Sequence, residues 1–195
     1  MAQSDALAAL TPLAAELDRL GVAYYVGGSI ASSVHGIPRS TLDVDVVADL
    51  ATKHVAPLVD ALKAAYYIDS RMMFDAIARH SCFNLIHLAT SFKVDVFVLK
   101  YRRFDRMALG RIEKRRIDAD SSSPDLFLAS PEDIVLAKLE WYRLGNEISE
   151  RQWTDVLGVL KVQDTRIDRA YLEKWGAELG IADLLEKAWA EVEGR

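Results

Sequence analysis

Two apolar segments of the chain, "LDVDVVA" at residues 42–48 and "FKVDVFVL" at residues 92–99, carry acidic side chains at alternate positions. Successive side chains of a β-strand point to opposite faces, so the valines of each segment share one face and the aspartates share the other. An unpaired carboxylate is costly in an apolar core. The segments therefore predict two strands whose valines pack inward, while Asp43, Asp45 and Asp95 lie on a face outside the core.

The spacing of Asp43 and Asp45 brings two like charges close together. Such carboxylates repel and raise each other's proton affinity unless a cation neutralises them. Their oxygens suit Mg²⁺, which keeps several waters and takes further ligands from substrate phosphates. An isolated Asp-x-Asp pattern favours instead a pair of exposed acids on an edge strand. The third acid, Asp95, with Lys93 on the same strand face, favours the metal site.

A glycine turn precedes the first acidic strand. Gly28 allows the backbone to come close to a ligand, and Ser29 starts a short helix over residues 30–36 that ends at Gly36 and Pro38. The free N–H groups at the start of a helix can bind phosphate. The turn is therefore a candidate phosphate-binding segment.

The first hundred residues predict alternating helices and strands. A helix at "TPLAAELDRLG" has Thr11 as N-cap and Pro12 at its first position. The elements that follow are a strand at "VAYYV", the short helix, the strand "LDVDVVA", a helix at "KHVAPLVDALKAA", and neighbouring strands at "SCFNLIHLA" and "FKVDVFVL". This order predicts a small mixed sheet with helices against it.

The second half of the chain has a different pattern. A polar stretch, "DADSSSPD" at residues 118–125, marks a loop, and "SPEDIVLAKLEWYRLG" then has the N-cap signal of a helix at Ser130 and Pro131. Further helices are predicted at residues 149–162, 168–179 and 181–193, with Trp153, Trp175 and Trp189 as packing residues. The predicted fold class is α+β, with a mixed-sheet domain at residues 1–117 and a helical domain at residues 124–195.

Composition excludes several classes of protein. The 195 residues, 51% of them hydrophobic, suffice for one core or a core with a small appended domain. No segment reaches the run of about 20 apolar residues that a membrane span needs, and no signal-peptide pattern is present, which predicts a cytoplasmic protein without membrane contact. The single cysteine, Cys82, excludes an internal disulfide and is predicted to be buried beside Phe83. The four histidines lack the spacing of a zinc site.

Positive charge is concentrated in the middle of the chain. Residues 93–116 contain nine basic and three acidic side chains, although the whole chain has a net charge of −5. One interpretation of "KYRRFDRMALGRIEKRR" is a solvated amphipathic helix. The other is a surface that guides a polyanion such as RNA or a triphosphate.

Taken together, these motifs resemble the nucleotidyltransferase superfamily, whose fold is shared with polymerase-beta-like enzymes. The resemblance is carried by "GGS" at 27–29, "DVDV" at 43–46 and "KVDVFVL" at 93–99. It implies that Asp43, Asp45 and Asp95 are the catalytic acids and hold Mg²⁺, or Mn²⁺ in its place. It further implies that Gly28 and Ser29 contact the phosphates of a nucleoside triphosphate, whose nucleotidyl group passes to a hydroxyl of an RNA end such as tRNA, a protein or a small molecule.

The Lys-x-Asp pattern at 93–95 and the helical second half resemble the abortive-infection toxin branch, which implies an antitoxin or toxin partner. That branch places a lysine from the helical region on the nucleotide, which implies this role for Lys138. The alternative is a lysine whose stem packs while its amine reaches water. Lys93 is a further candidate nucleotide-binding residue, and Arg39 is a candidate either to contact phosphate or to pair with Asp43.

Two other functions fit part of the pattern. A non-catalytic nucleotide-binding or protein-binding module could keep the same scaffold, although the three acids do not require that interpretation. An Asp-x-Asp glycosyltransferase would bind a sugar nucleotide through a metal, but this class explains neither the Gly28-Ser29 turn nor Asp95.

Overall fold

The computed structural model of the protein describes residues 2–116 and 125–194. The strands in this part of the chain are β1 Tyr24–Val26, β2 Asp43–Ala48, β3 Tyr66–Tyr67, β4 Cys82–His87, β5 Lys93–Val98, β6 Glu113–Arg116 and β7 Asp125–Leu128. The helices are α1 Ala2–Arg19, α2 Gly28–His35, α3 Val55–Leu62, α4 Ser70–Arg79, α5 Arg103–Leu109, α6 Pro131–Leu144, α7 Glu150–Gln163, α8 Arg169–Glu178 and α9 Ala182–Val192. Helices are interspersed among the strands up to β7, and only helices follow β7 in the described residues, which confirms the predicted fold class.

All the strands belong to one sheet with the order β3-β4-β5-β2-β1-β7-β6. β2 lies parallel to β5 and β1 parallel to β7, whereas the other neighbouring pairs are antiparallel. The sheet is therefore mixed, as predicted. The two strands that carry the acidic residues, β2 and β5, are direct neighbours.

The backbone contacts divide the chain into two compact units. The first unit consists of Met1–Gly27 and Ser40–Leu128, and the second consists of Gly28–Arg39 and Ala129–Arg195. The short helix α2 and the loop after it therefore belong with the C-terminal helices, although they precede β2 in the chain.

The core of the first unit follows from the alternating pattern of its strands. The side chains of Val44, Val46, Val94 and Val96 are at most 1% exposed, and α1 packs against β2 and β5. Each fully buried valine contributes about 1.5–3 kcal/mol relative to an exposed one. Burial of this face fixes the phase of both strands and so directs the alternate acidic side chains to the other face.

The start of α1 was predicted wrongly. The helix begins at Ala2, so Thr11 and Pro12 lie inside it rather than at its N-terminus. The Thr11 hydroxyl donates a hydrogen bond to the Leu7 carbonyl oxygen. Proline inside a helix is unfavourable because it lacks an N–H donor, but buried side chains on both sides of it, such as Leu10 and Leu13, bind the helix to the core.

The elements of the first unit that were not predicted include β3, α4 and β7. The Asp69 side chain accepts hydrogen bonds from the backbone N–H groups of Arg71 and Met72, which caps the start of α4. The helix ends at His80, whose left-handed backbone has a φ of 48°. An N-cap aspartate just before an amphipathic segment is a signal that the sequence offered.

The basic segment does not form one amphipathic helix, which corrects the first interpretation given above. It folds instead into α5 and the edge strand β6, and β6 pairs with β7. Lysine and arginine on an edge strand discourage pairing with other chains. Most of the polar loop predicted at residues 118–125 lies outside the described residues, and its last residue, Asp125, begins β7.

The helices of the second unit are confirmed. Ser130 caps α6 by accepting a hydrogen bond from the Asp133 N–H. Trp175 is buried, whereas Trp153 and Trp189 are half-buried. A Cβ atom at Gly36 would lie 2.7 Å from the Val159 backbone nitrogen, so the end of α2 approaches α7 more closely than any other residue would allow.

The described part of the chain contains no helix that is both long enough and apolar enough to cross a membrane.

Candidate functional site

The three predicted acids lie on one face of two neighbouring strands. The parallel register of β2 and β5 pairs Asp45 with Asp95 and Asp43 with Lys93. The residues between them point into the core, so all four side chains are on the outer face. The prediction that the carboxylates share one sheet face is confirmed, whereas their role stays a prediction. We call Asp43, Asp45, Lys93 and Asp95 the acid face.

Asp95 and Asp43 each bond to a neighbouring polar side chain. The Lys93 Nζ atom lies 2.7 Å from Asp95 Oδ2, and the Thr41 hydroxyl donates to Asp43 Oδ1 over 2.8 Å. The hydrogen bond with Asp95 raises the pKa of Lys93 despite opposition from partial burial, and the charges of Asp95 and Asp43 act in the same direction. Lys93 thus remains protonated and neutralises part of the negative charge.

The carboxylate oxygens of the acid face are suitable ligands for a divalent cation. Over residues 2–116 and 125–194, no group of three or more His, Cys, Asp and Glu side chains is arranged to hold a metal ion. In this arrangement Asp95 bonds to Lys93 and Asp43 bonds to Thr41. The carboxylate oxygens nonetheless share one face on adjacent strands, which suits Mg²⁺ bound through a few protein oxygens and completed by phosphate oxygens.

The outer face of β4 adjoins the acid face. The antiparallel register pairs Asn84 with Asp95 and Cys82 with Phe97. Cys82 is exposed, so the prediction of a buried cysteine was wrong, because Phe83 takes the inward position of the strand. Partial desolvation of the thiol raises the pKa of Cys82 to about 11, and the negative charges of Asp95 and Asp45 contribute to this increase.

A second group of charged side chains lies within the second unit, where Lys138 and Asp155 are buried and Arg39 is half-buried. The Arg39 guanidinium donates from Nε to Asp155 Oδ1 and from Nη2 to Asp155 Oδ2, both over 2.8 Å. The Lys138 Nζ atom lies 2.8 Å from Asp155 Oδ2 and donates to Gln152 Oε1 over 3.1 Å. We call Arg39, Lys138 and Asp155 the cation cluster.

Burial and charge act against each other at Asp155. Burial by itself raises its pKa, but the hydrogen bonds from Arg39 and Lys138 outweigh that effect and place the pKa below its usual value. Two cations therefore surround one ionised carboxylate. Lys138 is only 4% exposed, so the alternative in which its amine reaches water is wrong.

Asp155 was not singled out from the sequence. It lies 116 positions from Arg39 along the chain, and a single aspartate on an amphipathic helix is usually solvated. The available signal was its place on α7 between buried neighbours such as Val156 and Val159.

The predicted phosphate-binding turn begins α2. Gly28 has a φ of +50°, a conformation that favours glycine. The Ser29 hydroxyl accepts a hydrogen bond from Arg39 Nη2, so Ser29 is joined to the cation cluster inside the second unit. Contact of Gly28 or Ser29 with phosphate stays a prediction.

The sequence matches no protein-family model and no curated protein.

Solved structures, in contrast, resemble the whole chain. The solution structure of ANT(2'')-Ia, an antibiotic-resistance factor, gives a TM-score of 0.56 at 12% sequence identity, over 100% of this chain and 97% of that chain. Its crystal structure in complex with adenylyl-2''-tobramycin gives 0.58 at 11% identity, over 89% and 95% of the two chains. An antigenic nucleotidyltransferase-like protein from Paracoccidioides brasiliensis gives 0.53 at 17% identity, over 82% and 76%.

The chain has the nucleotidyltransferase fold.

This fold is the one that the resemblance carried by the glycine turn and the three acids implied. Sequence identities of 11–17% establish the fold alone, because folds host different functions and activity must be argued from the site. The argument for function therefore rests on the acid face and the cation cluster of this chain.

Proposed function

We propose that the protein is a metal-dependent nucleotidyltransferase that moves a nucleoside monophosphate from a nucleoside triphosphate to an acceptor hydroxyl. The observation that carries this proposal is the register of β2 and β5, which sets Asp45 beside Asp95 with Asp43 on the same face. Like charges so placed are unfavourable without a cation, and the nucleotidyltransferase fold supports the same activity.

In this proposal, Asp43, Asp45 and Asp95 would hold Mg²⁺ or Mn²⁺ through their carboxylate oxygens. The bound metal would neutralise charge on the attacking and leaving oxygens. Asp95 accepts the proton of the acceptor hydroxyl as general base. The hydroxyl oxygen forms a bond to the α-phosphorus, the bond from that phosphorus to the bridging oxygen breaks, and pyrophosphate leaves with the electron pair.

The phosphate groups are assigned to cationic and glycine-turn residues. In the first unit we assign Lys93, whose ammonium is protonated and 45% exposed. In the second unit we assign Gly28, Ser29, Arg39 and Lys138, because two cations around one carboxylate leave one positive charge in excess. Asp155 orients both cations in this assignment.

The acceptor is proposed at the level of a hydroxyl group. The structure of ANT(2'')-Ia with adenylyl-2''-tobramycin shows that this fold can hold a nucleotidylated small molecule. An RNA end such as tRNA and a protein hydroxyl remain acceptors to test, because the sequence pattern of the abortive-infection toxins also supports a role in a toxin–antitoxin pair.

The decisive experiment is a transfer assay. The purified protein is incubated with Mg²⁺ and each α-labelled triphosphate, together with tobramycin, total cellular RNA or a cellular protein fraction. We expect labelled product with wild type, and none with Asp45→Ala or Asp95→Ala. The matched control is Asp60→Ala, since Asp60 forms only an exposed ion pair with Lys63. Equal labelling by wild type and Asp95→Ala would refute the catalytic role.

One observation favours a second candidate, a nucleotide-binding or protein-binding module without activity. The carboxylate of Asp95, the third acid, is already paired with the Lys93 ammonium. A protein of this kind would bind a triphosphate in the presence of Mg²⁺ but label no acceptor. Calorimetric titration with Mg²⁺ and each triphosphate, run beside the transfer assay, separates the two functions.

A further inference from the structure

Lys93 is a cation that lies within the acid face itself. It is the register partner of Asp43 and lies two positions before Asp95 on β5, so its side chain shares the face of the three acids. The Lys93 Nζ atom is 2.7 Å from Asp95 Oδ2. The hydrogen bond with Asp95 raises the pKa of Lys93 against the effect of partial burial, and the charges of Asp95, Asp43 and Asp45 raise it further. The ammonium therefore interacts electrostatically with all three carboxylates.

The pair of Lys93 with Asp95 opposes the binding of a free divalent ion. Such an ion competes with the ammonium for the Asp95 carboxylate, and an ion at the other oxygen of Asp95 would still lie close to a like charge, which repels it. The hydrogen bond from the Thr41 hydroxyl to Asp43 is different, because a neutral donor adds no such repulsion. Of these two bonds, the one from Lys93 is therefore the one that opposes a metal ion by its charge.

The Lys93 ammonium is able to exchange Asp95 for another partner. Its side chain is 45% exposed, whereas that of Lys138 is buried. Lysine carries its charge on a flexible stem with rotatable donors. Because Mg²⁺ takes several of its ligands from substrate phosphates, a triphosphate that binds with the metal brings anionic oxygens to the same surface. The displaced ammonium then regains an anionic partner, which a free metal ion does not provide.

We infer that Lys93 makes the acid face selective for a metal–triphosphate complex over the free metal ion, because its ammonium exchanges Asp95 for a phosphate oxygen when the complex binds. Lys93 is thus a specificity-determining residue, and the exchange involves only side chains of β2 and β5 in the first unit. This inference rests on the metal site of the proposed function. It adds that the metal and the triphosphate strengthen each other's binding, by the same factor in both directions.

The test compares two dissociation constants of the whole protein. Electron paramagnetic resonance of Mn²⁺ measures the dissociation constant of the free ion. Calorimetry measures that of the equimolar complexes of Mn²⁺ with the α,β-methylene analogues of ATP, GTP, CTP and UTP, whose α–β bridge is not cleaved. Lys93→Met removes the charge and keeps the length of the side chain. We expect this variant to bind free Mn²⁺ about tenfold more tightly than the wild type, within the usual range of coupling between two ligands, and to bind the complex equally well or more weakly.

Two controls separate the position of the charge from its amount. Lys93→Arg keeps a positive charge opposite Asp43 and should retain the wild-type preference for the complex. Lys63→Met removes the same charge from an exposed pair with Asp60 and should leave both dissociation constants within about twofold of the wild type. Thermal unfolding of each variant identifies any loss of folding.

Two results with Lys93→Met would overturn the inference. Equal tightening of free Mn²⁺ and of the complex would show that Lys93 only repels cations, and unchanged affinities would show that it has no effect on metal binding. A wild type that binds neither free Mn²⁺ nor any of the complexes refutes the metal site and this inference with it. A wild type that prefers the complex, with the preference lost in Lys93→Met, but that labels no acceptor supports the inference and refutes the transfer function alone.

Discussion

The acid face and the cation cluster differ in the sign of their excess charge and in their exposure to solvent. On the acid face, three carboxylates and one ammonium share a partly exposed sheet surface, which leaves two negative charges in excess. In the cation cluster, two cations enclose one carboxylate that is 7% exposed. The comparison indicates that the acid face contributes repulsion that a bound cation can relieve, whereas in the cation cluster opposite charges pair with one another and stabilise the unit.

The largest expected effect concerns activity at the acid face. Asp95→Asn keeps the size of the side chain but removes the base, so transfer should fall roughly a hundredfold to ten-thousandfold. The free energy of unfolding should change by less than about 1 kcal/mol, because the lost ion pair with the half-exposed Lys93 ammonium is offset by the relief of like-charge repulsion. Transfer rates and urea unfolding of the same preparations provide the measurements, and a large loss of stability would contradict the comparison.

The next effect is structural and concerns the cation cluster. Asp155→Ala leaves the buried Lys138 ammonium without its counter-charge, so we expect a loss of about 3–5 kcal/mol in the free energy of unfolding. Urea unfolding measures this loss. The matched control is Asp183→Ala, which removes an exposed partner of Arg143 and should change stability little. Similar losses in both variants would show that burial of the cluster is unimportant.

A smaller effect is the pH dependence of the same residue. The pKa of Asp155 lies below its usual value of 3.8 in the folded protein, so the ionised form favours folding. The stability advantage of wild type over Asp155→Asn should be complete at neutral pH and should disappear as the pH falls through that lowered pKa. Unfolding curves of both proteins between neutral pH and pH 2 test this, and a gap that stays constant would contradict it.

The smallest effect is a change in the reactivity of Cys82, the single cysteine of the chain. Because desolvation and then the charges of Asp95 and Asp45 raise its pKa to about 11, Asp95→Asn should lower that pKa and speed alkylation at mildly alkaline pH. The rate at which iodoacetamide alkylates Cys82, measured across pH 8–11, reports the shift in the pKa of the thiol. Asp60→Asn is the control, and identical profiles in all three proteins would show that the acid face does not affect the thiol.

The acid face could be predicted from the sequence because it depends on local alternation. Valines at every second position set the phase of β2 and β5, and the phase alone directs Asp43, Asp45 and Asp95 to one face. The same rule places Cys82 on the outer face. The prediction of a buried Cys82 was wrong because it relied on the apolar neighbour Phe83 and not on the alternation along the whole strand. The position of Asn84 depends on the β4–β5 register, which periodicity alone does not provide.

The cation cluster could not be predicted in the same way. Its carboxylate and its arginine come from residues 116 positions apart, and no local pattern links the loop after α2 to α7. Pro12 shows the converse error. Its local sequence predicted the start of a helix, but the helix continues through Pro12 because Leu10 and Leu13 on both sides of it are buried in the core. Tertiary packing decided both cases.

The discontinuous second unit has a consequence for synthesis of the protein. The α2 segment, Gly28–Arg39, leaves the ribosome about 90 residues before the first of the helices that complete its unit. At about 5–20 residues per second, this interval lasts roughly 5–18 seconds. During this time α2 has no partner for its buried residues, and the close contact at Gly36 cannot form until α7 has emerged. The nascent chain therefore completes its second unit only after the helices α6 to α9 have been synthesised.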